Sequence, residues 1–518
     1  MRGVFKCCAL ALGAVAAGAA TAKAADSASP QAGADALTKI KTVVVIYAEN
    51  RSFNNLWGLY PGADGVRNAQ AAAAFRRQKD RDGSILKVLP PVWGGLTAPG
   101  VTPPVTEGQT ESMPNKPFRI DDPKGYDVGL DKATRDLWHR FYQNQMQINN
   151  GANDRFAAWG DSGGLVMGHY NSNDLPLWKY ARRYTLADHF FMAAFGGSYL
   201  NHQFLICSCA PKYAHADTSV AKGLIAAVNP DGTSLQVAAG SPASALLGAP
   251  KFVNDGAITP DFYTVNTMQP PYQPSAVKPA AGQDPRHADR SAPNVLPPSR
   301  GQTIGDLLTG AGVTWAWYGG AWQAALDGQN ASPVPNFQYH HQPFNYYAAY
   351  APGTPARAEH LKDGGLAGVN FIADIDAGKL PAVSFYKPQG NLNEHPGYAD
   401  VLDGDSHIAD LLAHLEKSPQ WKNMLVVVTY DENGGFWDHV APPKGDRFGP
   451  GSRIPALIVS PYSKKGYVDH TVYDTTSIIR FLTTRYSLPV LAGVRLRDAA
   501  VRRQGGERIG DLTGALQF

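Results

Sequence analysis

The chain of 518 residues has few cysteines, no clear excess of either charge and no long internal hydrophobic run. No stretch beyond the N-terminal region reaches the roughly 20 apolar residues that span a bilayer, so we expect no stable membrane insertion. Lysine and arginine number 47 and aspartate and glutamate 44. A nearly neutral protein lacks the basic surplus that nonspecific nucleic-acid binding requires, so we expect no nucleic-acid partner.

The first 24 residues differ from the rest of the chain. Arg2 and Lys6 are basic, residues 7–20 are apolar, and the string AKA at 22–24 has the small-x-small pattern of a cleavage site. A membrane anchor helix is the alternative, but the apolar run is short for a span. We interpret 1–24 as a signal peptide and expect a secreted or periplasmic protein.

Two of the four cysteines, Cys207 and Cys209, lie outside that segment and are separated by one residue. Disulfides persist in an oxidising compartment. The spacing is compatible with a tight bridge or with two buried thiols, and the sequence does not decide between them.

Strand and helix patterns alternate along most of the chain. Apolar β-branched runs predict strands at 42–47, 185–192, 313–318, 382–386, 424–430 and 456–460. Helical spacing predicts helices at 131–149, 175–184, 199–207, 303–311, 367–377, 406–417 and 475–486. This alternation predicts an α/β fold with a doubly wound, mostly parallel sheet flanked by helices.

Two stretches interrupt the alternation. Residues 62–127 are rich in proline, glycine and polar residues, which indicates a long loop excursion or a small subdomain. Residues 210–299 contain many prolines and alanines, which favours an inserted irregular or β-rich cap. We therefore predict one α/β domain over 41–518 that carries both additions.

Acidic residues follow two of the predicted strands directly. Glu49 and Asn50 come after the strand 42–47, and Asp431 and Glu432 come after 424–430. Ligands collect beyond the carboxyl ends of parallel strands, and oxygen ligands suit a hard divalent cation. Ordinary turns or helix caps are the alternative for each string alone.

A serine hydroxyl follows two glycines in the string GGS at 196–198, where a helix is predicted to start. A helix N-terminus attracts anions, and a cation beside Ser198 would lower the pKa of its hydroxyl and make it a nucleophile. A helix cap is again the simpler alternative.

Four histidines are candidates for phosphate binding and proton transfer, since imidazole can do both near neutral pH. They are His139, on the predicted helix 131–149, His340, His341 and His395. His395 follows the strand 382–386 and is the best placed to protonate a leaving group.

At these strings the chain resembles the bacterial phosphoesterase family, which unites secreted acid phosphatases with haemolytic and nonhaemolytic phospholipases C and is related in fold to alkaline phosphatases and sulfatases. The resemblance runs from about residue 41 to 486. It is carried by VVVIYAENRSFNNLWGLYPGADG, LWHRFYQNQMQINNGANDRF, DLPLWKYARRYTLADHFFMAAFGGSYLNH, NEHPGYAD and VVVTYDENGGFWDHVAPP.

The resemblance implies one divalent metal ion, with Ser198 as both ligand and nucleophile and with His139 and His395 on the phosphate. The metal positions that match are Glu49, Asn50, Ser198, Asp431 and Glu432. The strings GGSYLNHQ and YHHQPF, the latter containing His340 and His341, are more similar to the acid phosphatase branch. Asn54 departs from the pattern, since many relatives have aspartate there.

The expectation is therefore metal-dependent hydrolysis of a small phosphomonoester through a phosphoserine at Ser198. One alternative is a phospholipase C acting on phosphatidylcholine-like lipids. A second is a secreted binding protein that keeps the sheet but has lost catalysis, although the intact acids at both strand ends argue against it.

Overall fold

The computed structural model describes residues 35–71, 76–332 and 334–518. The predicted signal peptide at 1–24 lies outside these ranges. None of the helices within them combines the length and the apolar character needed to cross a membrane.

An eight-stranded sheet forms the centre of the molecule. Its strands are β1 Thr42–Ala48, β2 Thr185–Ala187, β3 Trp315–Gly320, β4 Leu361–Gly365, β5 Val383–Lys387, β6 Met424–Tyr430, β7 Ala456–Val459 and β8 Tyr467–Asp469. Their spatial order is β8-β2-β7-β6-β1-β5-β3-β4. Strand β7 is antiparallel to both of its neighbours, and the other pairs in the sheet are parallel. The predicted mostly parallel α/β sheet is confirmed.

Helices connect and flank these strands. They are α1 Phe53–Trp57, α2 Val66–Ala71, α3 Phe141–Ile148, α4 Pro176–Ala181, α5 Ser198–Cys207, α6 Ile304–Gly310, α7 Trp322–Leu326, α8 Pro355–His360, α9 Val369–Asp376, α10 Val401–Lys417, α11 Thr476–Tyr486 and α12 Ala492–Arg503. Helices α4 and α9 pack on α10, and α6 and α11 pack on α5.

The two predicted central strands, β1 and β6, are buried along their whole length. Their continuous apolar runs suit strands covered on both faces. Strand β1 lies between β5 and β6, and Ala48 is paired with Tyr430. The residues that follow these strands therefore meet at one edge of the sheet.

The predicted helix at 131–149 is wrong in its first half. Helix α3 begins only at Phe141, and Arg140 before it is extended, with φ −108° and ψ 157°. Residues 133–134 instead pair with 97–98, where Ala98 N donates to Ala133 O. Because these tertiary contacts override the local helical spacing, His139 lies in an extended segment and not on a helix.

Other strands and helices begin or end at residues different from those predicted, again because of tertiary contacts or side-chain caps. The apolar run at 185–192 forms β2 and a short strand Phe190–Phe191, which pairs with Tyr473–Asp474. A second small pair joins Phe118–Arg119 to Gly168–His169. Helix α10 starts at Val401, because the Asp400 side chain caps it by accepting from Asp403 N.

The two interrupting stretches have little regular structure. Residues 210–299 form short 3-10 turns at Ala216–Thr218, Val220–Leu224 and Ala245–Leu247, with isolated bridges such as that between Val237 and Phe252. Residues 76–127 are similar, with a 3-10 turn at Glu107–Thr110. We call the segment 210–299 the cap.

A disulfide joins Cys207 and Cys209 at the C-terminal end of α5. Of the two alternatives that the sequence leaves open, the structure has the bridge.

Candidate active site

Three distant segments meet at Asn50. Its backbone N–H donates to Asp431 Oδ1 at 3.0 Å, and its side-chain Oδ1 accepts from Ser198 Oγ at 3.2 Å. Asn50 has a left-handed backbone with φ 59°, a conformation that asparagine tolerates better than most residues. The end of β1, the end of β6 and the N-terminus of α5 are thus joined through one residue.

Glu49, beside Asn50, is fully buried, and five side chains approach its carboxylate; one of them is His340, whose Nε2 lies 3.9 Å from Oε1. Lys387 Nζ, at the end of β5, lies 2.9 Å from Oε1, which His341 Nε2 also contacts. Asn393 and Tyr398 each donate to Oε2 at 3.1 Å. Burial alone would raise the pKa of Glu49, but His341 and Lys387 outweigh it and hold that pKa well below its ordinary value.

The two acids after β6 are crowded. Burial and the Glu49 carboxylate raise the pKa of Asp431 to about 6. Burial and Asp431 raise the pKa of Glu432 well above its ordinary value. In the described part of the chain, Asp431 Oδ2 and Glu432 Oε1 are buried without a hydrogen-bond partner.

These acids fit a divalent cation. Lys387 is the one lysine or arginine in ion-pair contact with Glu49, Asp431 or Glu432 among the described residues. With all three acids ionised, the single ammonium would leave an excess of negative charge, which is costly in a buried site unless a cation offsets it. Orphaned carboxylate oxygens at the same place are the ligands that such a cation takes.

Three groups of side chains in the described residues have ligand atoms within 4.8 Å of one another. They are Glu49 with His202 and Asp431, Glu49 with His340 and His341, and Asp136 with His139 and His395. The predicted ligands Glu49 and Asp431 therefore come together. Glu432 is in none of these groups, although it follows Asp431 directly.

A cavity of about 260 Å³ opens over Ser198. It is lined by Asp136, His139, Arg140, Gly197, Ser198, Tyr199, Asn266, Thr267, Gln338, His340, His395 and Tyr398. Most of these side chains are polar, so the cavity suits an anionic group placed beside the serine hydroxyl.

Two of the predicted histidines face the Asn50 amide from this cavity. His139 Nδ1 donates to Leu137 O at 2.6 Å, and His395 Nδ1 donates to Pro396 O at 2.5 Å. Asn50 Nδ2 lies 3.4 Å from His139 Nε2 and 3.0 Å from His395 Nε2. The carbonyls fix both rings, so each Nε2 is directed toward the place above Ser198.

Both histidines of the predicted pair His340 and His341 approach Glu49 Oε1, but only His340 also lines the cavity. His341 is fully buried against Glu49, and burial lowers its pKa to about 4 even though Glu49 acts in the opposite direction.

Glycines allow the close approach of these segments. Gly434 has φ +61°, and a Cβ there would lie 2.1 Å from Asn50 O. A Cβ on Gly197 would lie 2.7 Å from His139 O. Larger residues would push apart the strand ends or the wall of the cavity.

Two residues at the site were missed from the sequence. His202 lies one turn after Ser198 on α5, and its Nδ1 donates to Ser198 O at 2.8 Å. Lys387 is the last residue of β5. The i, i+4 spacing from Ser198 and the strand-end position were the signals that could have found them.

Comparison with known proteins identifies the family of the chain. Residues 40–489 match the model of the Phosphoesterase family. The chain belongs to the Phosphoesterase family. It is a phosphoric ester hydrolase of the α/β class, and the family recognised in its sequence is confirmed.

Several relatives are named phospholipases C. The chain is 25% identical to phospholipase C B of Mycobacterium tuberculosis, over 93% of this chain and 78% of that protein. It is 31% identical to the non-hemolytic phospholipase C of Pseudomonas aeruginosa, over 42% of this chain and 33% of that protein. Among solved structures, a protein of the alkaline phosphatase superfamily from Vibrio parahaemolyticus matches with a TM-score of 0.31 and 12% identity, over 70% and 67% of the two chains.

Proposed function

We propose that this phosphoesterase hydrolyses phosphomonoesters in the manner of an acid phosphatase, with Ser198 as the nucleophile. The observation that carries the proposal is the position of Ser198 Oγ. It is hydrogen-bonded to Asn50 and lines a small polar cavity, between three histidines and the buried acids at the ends of β1 and β6.

One divalent ion would be held by Glu49, Asn50, Ser198, Asp431 and Glu432, where it would lower the pKa of the serine hydroxyl and neutralise phosphate charge. The chain supplies the rest of the binding energy. His139, His340 and His395 line the cavity and would contact phosphate oxygens, while His341 stays on Glu49 and positions it.

The reaction would proceed in two displacements. Ser198 Oγ forms a bond to phosphorus, the bond from phosphorus to the alcohol oxygen breaks, and the hydroxyl proton of Ser198 is released to water in the cavity. The departing alkoxide takes the Nε2 proton of His395 in its imidazolium form, which leaves His395 neutral with its remaining proton on Nδ1. Water then attacks the phosphoserine, and the bond from phosphorus to Ser198 Oγ breaks. One proton of that water returns to His395 Nε2, and Ser198 Oγ takes a proton from water as phosphate leaves.

His395 suits the role of proton donor because its other nitrogen is already committed. Its Nδ1 donates to Pro396 O, and its ring stacks on Tyr398 with centroids 4.4 Å apart. The ring is therefore fixed, and Nε2 is the nitrogen that faces the cavity.

A phospholipase C is the second candidate, favoured by the names of the relatives. The same side chains would act on a phosphodiester, with diacylglycerol as the leaving alcohol. The export that segment 1–24 predicts is compatible with either substrate, and we include it in the proposal.

Parallel assays of the purified protein on p-nitrophenyl phosphate and on phosphatidylcholine separate the two candidates. We expect turnover of the monoester, and Ser198→Ala should abolish it while leaving the unfolding temperature close to that of the wild type. Activity on phosphatidylcholine alone would select the phospholipase. A wild type that turns over neither ester would support the inactive binding protein.

A further inference from the structure

A second, apolar cavity of about 600 Å³ lies beside the polar one. Its walls come from the segment before α3 and from the cap, and include Trp138, Pro242, Leu247, Pro250 and Phe252. The rings of Trp138 and Phe252 lie 6.1 Å apart, and the ring of Trp159, which does not line the cavity, lies 6.3 Å from that of Phe252.

The two cavities share the wall formed by residues 138–140. Trp138 lines the apolar cavity, whereas His139 and Arg140 line the polar one. Asp255 lines the apolar cavity and binds Arg140. Arg140 Nε lies 2.5 Å from Asp255 Oδ2, and Arg140 Nη2 donates to Asp255 O at 2.6 Å. The two cavities therefore adjoin at neighbouring residues, Trp138 and His139.

The rim of the apolar cavity exposes a leucine to water. Leu247 is 71% exposed, and its neighbour Leu246 is 36% exposed. Exposed apolar side chains next to a concave apolar wall are typical of a binding site. The polar cavity, at about 260 Å³, has room for a phosphate but offers no comparable apolar wall to an attached alcohol.

We propose that the apolar cavity receives the alkyl part of the substrate alcohol, so that the enzyme prefers phosphate esters of long-chain alcohols over those of short ones. This inference rests on the proposed function, since it assigns the alcohol side of the same reaction. The occupant is the alkyl chain of the substrate itself, because the cavity adjoins the place where phosphate binds.

The test compares decyl phosphate with ethyl phosphate, measured as the ratio of their kcat/KM values. Leu247→Asn should lower this ratio about tenfold, since it withdraws an apolar contact that only the long chain reaches. Leu247→Met should keep the ratio near that of the wild type. Leu496→Asn is the matched control, because Leu496 is 67% exposed on α12 and lies outside the cavity lining.

An unchanged ratio in Leu247→Asn would overturn the proposal. So would a loss confined to phosphatidylcholine vesicles with no effect on monomeric decyl phosphate, since that result would assign Leu247 to docking on a lipid surface. If the wild type hydrolyses neither ester, the proposed function fails, and calorimetry with decylphosphonate then tests the cavity alone. If Leu247→Asn binds decylphosphonate more weakly than Leu496→Asn does, the result supports the alkyl-binding role of the cavity. Equal binding by the two variants rejects that role.

Discussion

The backbone amide of Asn50 donates a hydrogen bond to Asp431 Oδ1 at 3.0 Å, although 381 positions separate the two residues. The bond ties the end of β1 to the end of β6. It also turns the Asn50 side chain toward Ser198, His139 and His395, so that one amide fixes the serine hydroxyl and faces both imidazoles.

Asn50→Gly removes this side chain and keeps the backbone, since glycine accepts φ 59° without strain. We expect kcat on p-nitrophenyl phosphate to fall on the order of 100-fold, as when a positioned polar group is lost from an active site. The unfolding temperature should change little. Asn150→Gly is the control, because Asn150 is exposed and has φ 53°. Equal kcat values in the two variants would rule out a role for the Asn50 side chain.

Lys387→Met removes the buried ammonium from Glu49. Breaking a buried ion pair from one side typically costs about 3 to 5 kcal/mol, because the remaining charge is uncompensated. We therefore expect a marked drop in unfolding temperature in the presence of a chelator, and a larger gain on adding a divalent cation than the wild type shows.

Lys379→Met, at an exposed position, is the control and should respond to cation like the wild type. If divalent cations do not change the unfolding temperature of Lys387→Met, no cation binds next to Glu49.

Asp405 on α10 gives a pH-dependent stability. It is buried and accepts from Leu177 N at 2.9 Å, and burial raises its pKa from 3.8 to about 7. Between these two pKa values the folded protein keeps a proton on Asp405 that the unfolded chain has lost. The stabilising contribution of protonated Asp405, present at acidic pH, is therefore lost as the pH rises toward 7.

Asp405→Asn keeps the acceptor and removes the titration. Its free energy of unfolding in urea should exceed that of the wild type most at about pH 7, and the difference should shrink toward about pH 4. Asp410→Asn, on the exposed side of the same helix, should show no such trend. A difference that is constant across this range would contradict the assignment.

The meeting of acidic residues at the carboxyl ends of β1 and β6 was predictable, because both strands are recognisable from the sequence alone. β1 and β6 are continuous β-branched runs that end directly in acids, and the carboxyl ends of neighbouring parallel strands meet by geometry. The serine at the start of α5 was found for the same kind of reason, since the glycines before it mark the beginning of the helix.

The features that the sequence did not predict depend on contacts between distant segments or lack a regular sequence pattern. The helical spacing at 131–140 lost to pairing with 97–98, which no local pattern reveals. Strand β4, with the sequence LKDGG, has neither the apolar run nor the alternation that identifies a strand. The apolar cavity depends on how the cap folds against Trp138, and irregular segments leave no periodic signal.

The most direct test of the central claim is to quench the enzyme with acid during turnover of p-nitrophenyl phosphate and to map phosphorylated peptides by mass spectrometry. The account predicts a phosphoryl group on Ser198 in the wild type and none in Ser198→Ala. A phosphoryl group on another residue, or turnover by Ser198→Ala at the wild-type rate, would contradict it.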